Sequence, residues 1–362
     1  MAGVYISYPF CAQKCTYCNF ASGVYPKALE PLYQQRLLSE IAQTTWSWTP
    51  ETVYLGGGTP SLWPLDDLAA VLSALPGKPW REATMEAAPG SLTPERVSAW
   101  RSFGIDRVSL GVQSFVEAEI RRTGRKHTAA IVEDDVALLR NHGIEEINLD
   151  LIAGLAGQTF ESWKASVDQV IALDVPHVSV YILEVDEESR LGKEVLLNGK
   201  RFGAPDVPSD DLQATLYEYA ADRLALAGIP RYEISNFARP GHESLHNLKY
   251  WRLEPYIGLG ADAHSFDGTW RWQNAEAIEA YVHGALPPDR EAADTVGERY
   301  WVGLRLSEGV RVGDEHLGHR SQIERLVADG LLERATDRIR LTPRGVLLSN
   351  EVFQEFLSDA PH

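Results

Sequence analysis

Hydrophobic and polar positions follow two alternating regimes along the first two-thirds of the chain. Short runs rich in β-branched and aromatic residues read as strands: Val4–Tyr8, Thr52–Leu55, Ala83–Ala87, Arg107–Val112, Glu146–Ile152 and His177–Leu183. Most are continuous apolar runs, the pattern expected of strands covered on both faces of a parallel sheet. Between them lie longer stretches with apolar residues at helical spacing: Leu29–Gln43, Leu65–Leu75, Thr93–Phe103, Ala129–His142 and Thr159–Leu173, with another at Asp210–Ala227. Two of these carry explicit ends. Thr93-Pro94-Glu95 sets a capping hydroxyl before proline at the first helical position, and His142-Gly143 closes the helix that starts near Ala129. Six strand–helix units in succession predict an α/β fold on a parallel sheet, open or closed wholly or partly into a barrel.

The pattern changes after residue 230. Arg231–Phe266 is rich in glycine, aromatic residues and histidine with little periodicity, and reads as packed irregular structure. Glu276–Gly284 is a short helical stretch, and Ala285–Asp289 has the composition of a linker. Helical patterns then cover Ala292–Leu306 and Ser321–Asp329, Arg338–Thr342 reads as a hairpin strand, and Gly345–Leu357 as a last helix. The order suggests a small winged-helix-like C-terminal domain. The expected organisation is a core over 1–230, an irregular segment over 231–285 and the C-terminal domain over 290–362.

Composition narrows the function classes. With 362 residues, two domains are the natural expectation at about 150 residues each. A hydrophobic fraction of 44% with 23% charged residues is that of a globular protein, which excludes a disordered chain. Lys+Arg total 34 against 51 Asp+Glu, a net charge of −17 that repels phosphate backbones, so no nucleic-acid partner is expected. The C-terminal domain is accordingly expected to be structural or protein-contacting. No run of about 20 apolar residues offers an integral membrane segment, and the N-terminus lacks the features of a signal peptide, so a cytoplasmic protein is expected.

All three cysteines, Cys11, Cys15 and Cys18, follow the first strand, at what becomes the C-terminal mouth of the sheet. Their odd number argues against a disulfide framework. Three soft thiolates suit zinc or an iron–sulfur cluster, and zinc is disfavoured because no second ligand pair is present. A [4Fe–4S] cluster with one open iron fits best. Gly56-Gly57-Gly58-Thr59-Pro60-Ser61 is either a tight β–α turn or a stretch whose N–H groups hold a carboxylate. Glu86, Gln113 and Asp150 stand near strand ends, with Arg125 following. Each alone reads as a cap or salt bridge; as a set at one mouth they can bind hydroxyls, a base and a carboxylate. His246, with Tyr250 and Trp251, is either a buried histidine among core aromatics or an imidazole beside rings able to pack on a porphyrin.

Cys11-x3-Cys15-x2-Cys18, with Tyr17 before the third cysteine, resembles the radical S-adenosylmethionine (SAM) superfamily. That resemblance implies a partial (β/α)6 barrel, a [4Fe–4S] cluster on the three cysteines and SAM on the open iron, cleaved to a 5′-deoxyadenosyl radical. Tyr5, Tyr17, Gly57, Gly58, Thr59, Glu86, Gln113, Arg125 and Asp150 match the SAM-contacting pattern of the oxygen-independent coproporphyrinogen III oxidase-like family. Its dehydrogenases look like C-x3-C-x2-C-x-C behind an N-terminal extension, whereas here Phe20 takes the fourth cysteine's place and ten residues precede Cys11. His246-Asn247-Leu248-Lys249-Tyr250-Trp251 instead resembles the HNxxYW signature of the family's haem chaperones. This subgroup implies haem held with His246, Tyr250 and Trp251 and passed to acceptor proteins, membrane-associated respiratory ones among them; a homodimer is compatible. The alternatives are a coproporphyrinogen III dehydrogenase of porphyrin biosynthesis, or a radical SAM enzyme with another substrate. Three residues depart from the family pattern: Ser7 for His, Ala156 for Pro and Asp262 for Gly.

Overall fold

The computed structural model describes residues 2–284, 289–313 and 318–357. Six strands, β1 (Ala2–Tyr8), β2 (Pro50–Gly57), β3 (Glu82–Ala87), β4 (Arg107–Gln113), β5 (Glu146–Ala153) and β6 (His177–Ile182), pair in chain order, all parallel. They do not close on themselves. β7 (Asn236–Ala238) adds antiparallel to β6, and β8 (Tyr256–Leu259) adds parallel to β1. Beyond β8 the sheet continues antiparallel through β9 (His264–Phe266), β10 (Trp270–Gln273) and β11 (Glu291–Ala292). The expected partial barrel is what the chain builds.

Helices α1 (Leu29–Gln43), α2 (Leu65–Ala74), α3 (Pro94–Phe103), α4 (Glu117–Arg122), α5 (Ala129–Asn141) and α6 (Phe160–Ala172) connect the strands, and α7 (Arg190–Leu196) and α8 (Asp210–Leu226) follow β6. The legible ends form as written: Thr93 accepts from the Arg96 N–H at 3.2 Å, and Gly143 turns at φ 76° behind α5. Thr159 and Ser162 make a reciprocal capping box on α6.

The strands are not apolar on both faces, which corrects the expectation above. Val53, Leu55, Met85, Val108, Leu110, Ile147, Leu149, Val178 and Val180 point outward and are fully buried beneath the helices. The alternate positions, Thr52, Tyr54, Thr84, Glu86, Ser109, Asn148, Asp150, His177 and Ser179, share the other face; Tyr54 bonds to Glu86, and Ser109, Asn148, Asp150, His177 and Ser179 form one network across the lumen. An incomplete barrel has room inside for such a polar layer.

Residues 231–266, expected to be irregular, hold β7, helix α9 (Leu245–Trp251), β8 and β9. Elements of three to seven residues are too short for their period to show in sequence. The N-terminus of α9 seats against the floor of the barrel. There Glu82 of β3 accepts from the Ser244 hydroxyl at 3.2 Å and from the N–H groups of Leu245 and His246 at 2.8 and 2.9 Å. A carboxylate at that place satisfies helix donors that have no partner inside the helix. Arg107, itself buried, lies 3.9 Å from Glu82, 3.1 Å from Glu146, and donates to the His242 carbonyl at 3.1 Å.

The C-terminal stretch comprises α10 (Ile278–Val282), α11 (Thr295–Gly303), β12 (Val310–Arg311), α12 (Arg320–Ala328), β13 (Leu332–Ala335), β14 (Arg338–Leu341), α13 (Pro343–Leu347) and α14 (Ser349–Gln354). Its strands form an antiparallel sheet in the order β12–β14–β13. The single last helix expected over Gly345–Leu357 is instead two, divided at Leu348 (φ −108°, ψ 29°). Of the expected linker, residues 285–288 lie outside the described residues. The buried apolar cluster runs without a break from the barrel to Tyr300, Ile339 and Phe356. Among the described residues no helix is long and apolar enough to cross a membrane.

Replacing Glu82 by Ala removes the acceptor of three α9 donors and leaves Arg107 in a buried site with less opposing charge. The expected loss is about 3–5 kcal/mol of unfolding free energy in urea titration, with Glu82→Gln losing less because it keeps an acceptor oxygen.

Candidate functional site at the barrel mouth

β1 runs directly into the cysteine loop. The loop is closed at its base by the Cys11 N–H on the Gly23 carbonyl (2.8 Å) and the Gly23 N–H on the Pro9 carbonyl (2.9 Å). The glycine turn after β2 clamps one side of it. Gly58 and Thr59 donate their N–H groups to the carbonyls of Tyr8 and Phe10 at 2.8 and 3.0 Å, and a Cβ on Gly58 would stand 2.7 Å from the Phe10 oxygen. Gly57, at φ 106°, donates to Glu86 at 3.2 Å. Of the two readings of this stretch, the tight turn is the one that forms: the N–H groups of Gly57, Gly58 and Thr59 all have partners within the chain. On the other side, the Thr16 N–H donates to the Thr123 carbonyl (3.0 Å), Leu191 donates to the Thr16 carbonyl (2.7 Å) and Asn19 to Asp186 (2.9 Å).

Arg125 reaches into the loop. Its Nε donates to Cys15 Sγ at 3.2 Å while Nη1 donates to the Gly111 carbonyl at 2.6 Å. Burial works against the charged guanidinium, but Tyr17 and Cys15 outweigh it and hold the group above arginine's usual range. Burial pushes the Cys11 thiol up, opposed by the hydroxyls of Thr59 and Ser22. It also raises the phenol of Tyr17, whose ring leaves the loop to join a small apolar cluster with Ile152, Leu155 and Leu191. Among the described residues no three His, Cys, Asp or Glu side chains already converge on one point. The donor set nonetheless fits an iron–sulfur cluster: three thiols on one loop, with a buried cation to offset thiolate charge.

Facing the loop are the two carboxylates that end inner rows of the sheet. Burial, reinforced by the charge of Asp150, pushes Glu86 up to about 7, against the Tyr54 hydroxyl at 3.0 Å and the Gly57 N–H. Burial also raises Asp150, opposed by Ser179, Asn148, Ser109 and Arg125. Gln113 sits at φ 68°, a strained position for a side chain of its size, after an irregularity in the β4–β5 register. Its Oε1 is buried with no partner among the described residues. An orphaned acceptor held in a strained conformation beside a guanidinium is a feature of a ligand site. Gly111 makes that possible, since its missing Cβ would lie 3.1 Å from Gln113 Nε2 and 3.2 Å from Arg125 Nη1. Tyr5 stacks on Tyr54 one level deeper, with ring centroids 6.1 Å apart.

The structure thus brings Glu86, Gln113, Arg125, Asp150 and Tyr17 to the cysteine loop. It does not bring His246, Tyr250 or Trp251 there. His246 is 1% exposed at the floor, its Nδ1 2.8 Å from Thr52 Oγ1 and its Nε2 2.8 Å from the Tyr250 hydroxyl. Burial, with Lys249, pushes its pKa down to about 3. The guanidinium of Arg305 covers the Trp251 ring at 4.5 Å. An imidazole free to ligate haem iron beside open aromatic faces is therefore not what the motif forms, because both ring nitrogens are already engaged. Sequence reasoning missed Thr52, Tyr54, Ser109, Asn148, His177 and Ser179. Their signal was polar residues two apart within otherwise apolar strands.

The family model described as the Radical SAM superfamily matches residues 5–170. The curated heme chaperone HemW of Lactococcus lactis is 35% identical over 98% of this chain and 97% of its own length. The proteins of the same name from Bacillus subtilis and Escherichia coli are 32% and 31% identical, over 99% and 98% of this chain and 100% and 98% of their own. Among solved structures, coproporphyrinogen III oxidase (HemN) from Escherichia coli, described as a radical SAM enzyme, superposes at a TM-score of 0.83. It is 20% identical and covers 98% of this chain and 89% of its own, a likeness of fold.

In the full chain without ligands, the Glu86 carboxyl carbon followed by NMR is expected to titrate near 7. Tyr54→Phe raises that midpoint by removing a donor to the charged form, and Asp150→Asn lowers it by removing a like charge. Since the folded value lies above the unfolded one, the folded state keeps this proton longer. Stability from this group is thus full below about pH 4.3 and falls as pH rises through 7. Glu86→Gln removes that part of the decline, which urea unfolding across the pH range measures.

Proposed function

This chain belongs to the radical SAM superfamily and, within it, to the HemW haem-chaperone family, and from that premise we propose that it binds haem and delivers it to acceptor proteins. The observation that carries the proposal is the likeness to curated haem chaperones along almost the entire chain rather than over the barrel alone. Membership of the superfamily implies a [4Fe–4S] cluster and SAM, and the mouth is chemically suited to both.

Cys11, Cys15 and Cys18 are the residues to hold the cluster. With SAM, such a cluster supplies one-electron reduction of the sulfonium. Arg125 holds Cys15 and compensates its charge. Glu86 and Asp150 offer acceptors for ammonium and hydroxyl groups, and Gln113 Oε1 is an acceptor awaiting a donor. Tyr5 and Tyr17 frame the site, and Gly57, Gly58 and Thr59 act by fixing the cysteine loop in place.

Haem needs an apolar face, and the mouth supplies one where the floor does not. Phe20 and Val24 of the cysteine loop are 67% and 64% exposed, and Tyr181, Ile182 and Val185 at the end of β6 are exposed as well. The Asn19–Asp186 bond ties these two stretches side by side. An exposed apolar rim of this kind marks an interaction site rather than a packed core. Phe20 contributes apolar surface where the dehydrogenases carry a fourth cysteine. Proposed partners are haem, acceptor proteins that include membrane-associated respiratory ones, and a second copy of the chain.

Cluster-replete protein given reductant, SAM and coproporphyrinogen III under anaerobic conditions is expected to yield no decarboxylated porphyrin by mass spectrometry. It should instead bind haem saturably by its absorption spectrum and pass it to an apo-acceptor. Loss of two CO2 per porphyrinogen above a control lacking SAM would make it a dehydrogenase.

Two substitutions separate mouth from floor. Phe20→Glu is expected to weaken haem binding at least tenfold, whereas His246→Gln lowers the melting temperature and leaves the affinity of the remaining folded protein within about twofold.

A further inference from the structure

The inner face of the sheet carries a chain of hydrogen bonds that joins the floor of the barrel to its mouth, and chemistry fixes its direction. At its mouth end stands Asp150. A carboxylate only accepts, so the side-chain amide of Asn148, 2.7 Å from Asp150 Oδ1, must present its NH2 group there. Ser109 and Ser179, at 2.6 and 2.9 Å, share the same two amide hydrogens, and each hydroxyl spends its own proton elsewhere: Ser109 on Asp150 and Ser179 on Asn236 Oδ1. The orientation of Asn148 turns its Oδ1 toward His177 Nδ1, 2.6 Å away.

An amide oxygen also only accepts, so His177 must carry a proton on Nδ1. Burial, together with Arg107 and His242, opposes a second proton on this ring. Nε2 is then a bare acceptor, and its partner 2.9 Å away, the Tyr232 hydroxyl, must be the donor. The Tyr232 oxygen in turn accepts the N–H of Ser244, the capping residue of α9, at 3.3 Å. Every link points the same way, from the α9 cap through Tyr232, His177 and Asn148 to Asp150. Hydrogen bonds aligned in this manner polarise one another and favour negative charge at their end.

We propose that Tyr232, His177 and Asn148 are positioning residues, a one-way relay that anchors Asp150 to the cap of α9 and holds its carboxylate oriented for SAM at the mouth. The proposal deepens the reading of Asp150 as a contact of SAM and rests on it. It also gives the helix bearing His246, Tyr250 and Trp251 a part in ligand binding without contact with ligand.

Two measurements on the full chain test this. With 15N-labelled histidine, the ring nitrogens of His177 are expected to show the neutral Nδ1–H tautomer, and Tyr232→Phe, which deletes the donor to Nε2, is expected to populate the Nε2–H form. A merely structural tyrosine would leave the tautomer unmoved. In SAM titrations of cluster-replete protein, Asp150→Asn is expected to weaken binding more than tenfold, and Tyr232→Phe and Asn148→Ala about three- to tenfold. An Nε2–H tautomer in the unsubstituted chain overturns the relay. So does unchanged SAM affinity in Tyr232→Phe and Asn148→Ala when Asp150→Asn weakens it. Unchanged affinity in Asp150→Asn refutes the SAM reading of that carboxylate and with it the relay's purpose, while the tautomer still decides whether the relay exists.

Discussion

An inner face of polar side chains, closed off from solvent at one end, must find its partners within itself. Leaving a buried donor or acceptor unpaired costs on the order of 1–3 kcal/mol, and an uncompensated charge costs more. Much of this barrel's architecture answers that requirement. At the floor, Glu82 takes three donors from the start of α9, and Arg107 stands between Glu82 and Glu146. At mid-height, Asn148 binds Ser109, Ser179 and Asp150 from adjoining strands. Toward the mouth an acceptor is left over at Gln113 Oε1, where the backbone is strained as well, and Thr84 Oγ1 on the inner face is likewise without a partner among the described residues. What sets Gln113 apart is the combination of an unmet acceptor, strained backbone and a neighbouring guanidinium beside the cysteine loop, which together suit a ligand's donor.

The same requirement explains why the HNxxYW segment is not an open haem site. A helix carried to the floor brings its unpaired N–H groups with it, and these need Glu82. Its histidine lands between Thr52 and Tyr250 with both nitrogens used, in space that Gly3 leaves clear: a Cβ there would stand 3.0 Å from the imidazole. The likeness in sequence and the geometry can both stand if the motif distinguishes this family through the floor it builds. The Tyr54 ring lies 5.3 Å from His246, and its hydroxyl donates to Glu86 at 3.0 Å, so one side chain touches both floor and mouth.

How much of this was legible depends on the length over which a pattern repeats. The longer helices and their caps were readable because their pattern persists for ten residues or more, and Thr93-Pro94 and His142-Gly143 state their geometry directly. The cysteine triplet was readable from its spacing alone. Asp262, which stands where the family pattern has glycine, adopts the left-handed backbone at φ 61°, a conformation aspartate tolerates better than most residues. The polar lumen was hidden because its residues are small or ambiguous: in Arg107-Val108-Ser109-Leu110-Gly111-Val112 the inward set is Arg, Ser and Gly, which barely interrupts an apolar run. The elements at 236–266 were too short to show a period. Nor can sequence tell whether a glycine turn's N–H groups are free, since the carbonyls of Tyr8 and Phe10 that occupy them are fifty residues away.

The two carboxylates at the mouth show how one lumen serves two ends. Both are half-buried, and the loss of solvent raises both. What differs is the supply of donors. Asp150 has donors in Asn148 and Ser109 with Arg125 nearby, whereas Glu86 has one phenol and one N–H and faces the charge of Asp150. Surroundings that differ in this way set the two acids apart, and Glu86 is the one poised to gain or lose a proton near neutrality. To a cationic ligand, such as one carrying an ammonium or sulfonium group, both carboxylates offer acceptors of opposing charge. A positive charge beside Glu86 favours its ionised form. Complementarity between the mouth and a cation therefore increases as Glu86 loses its proton.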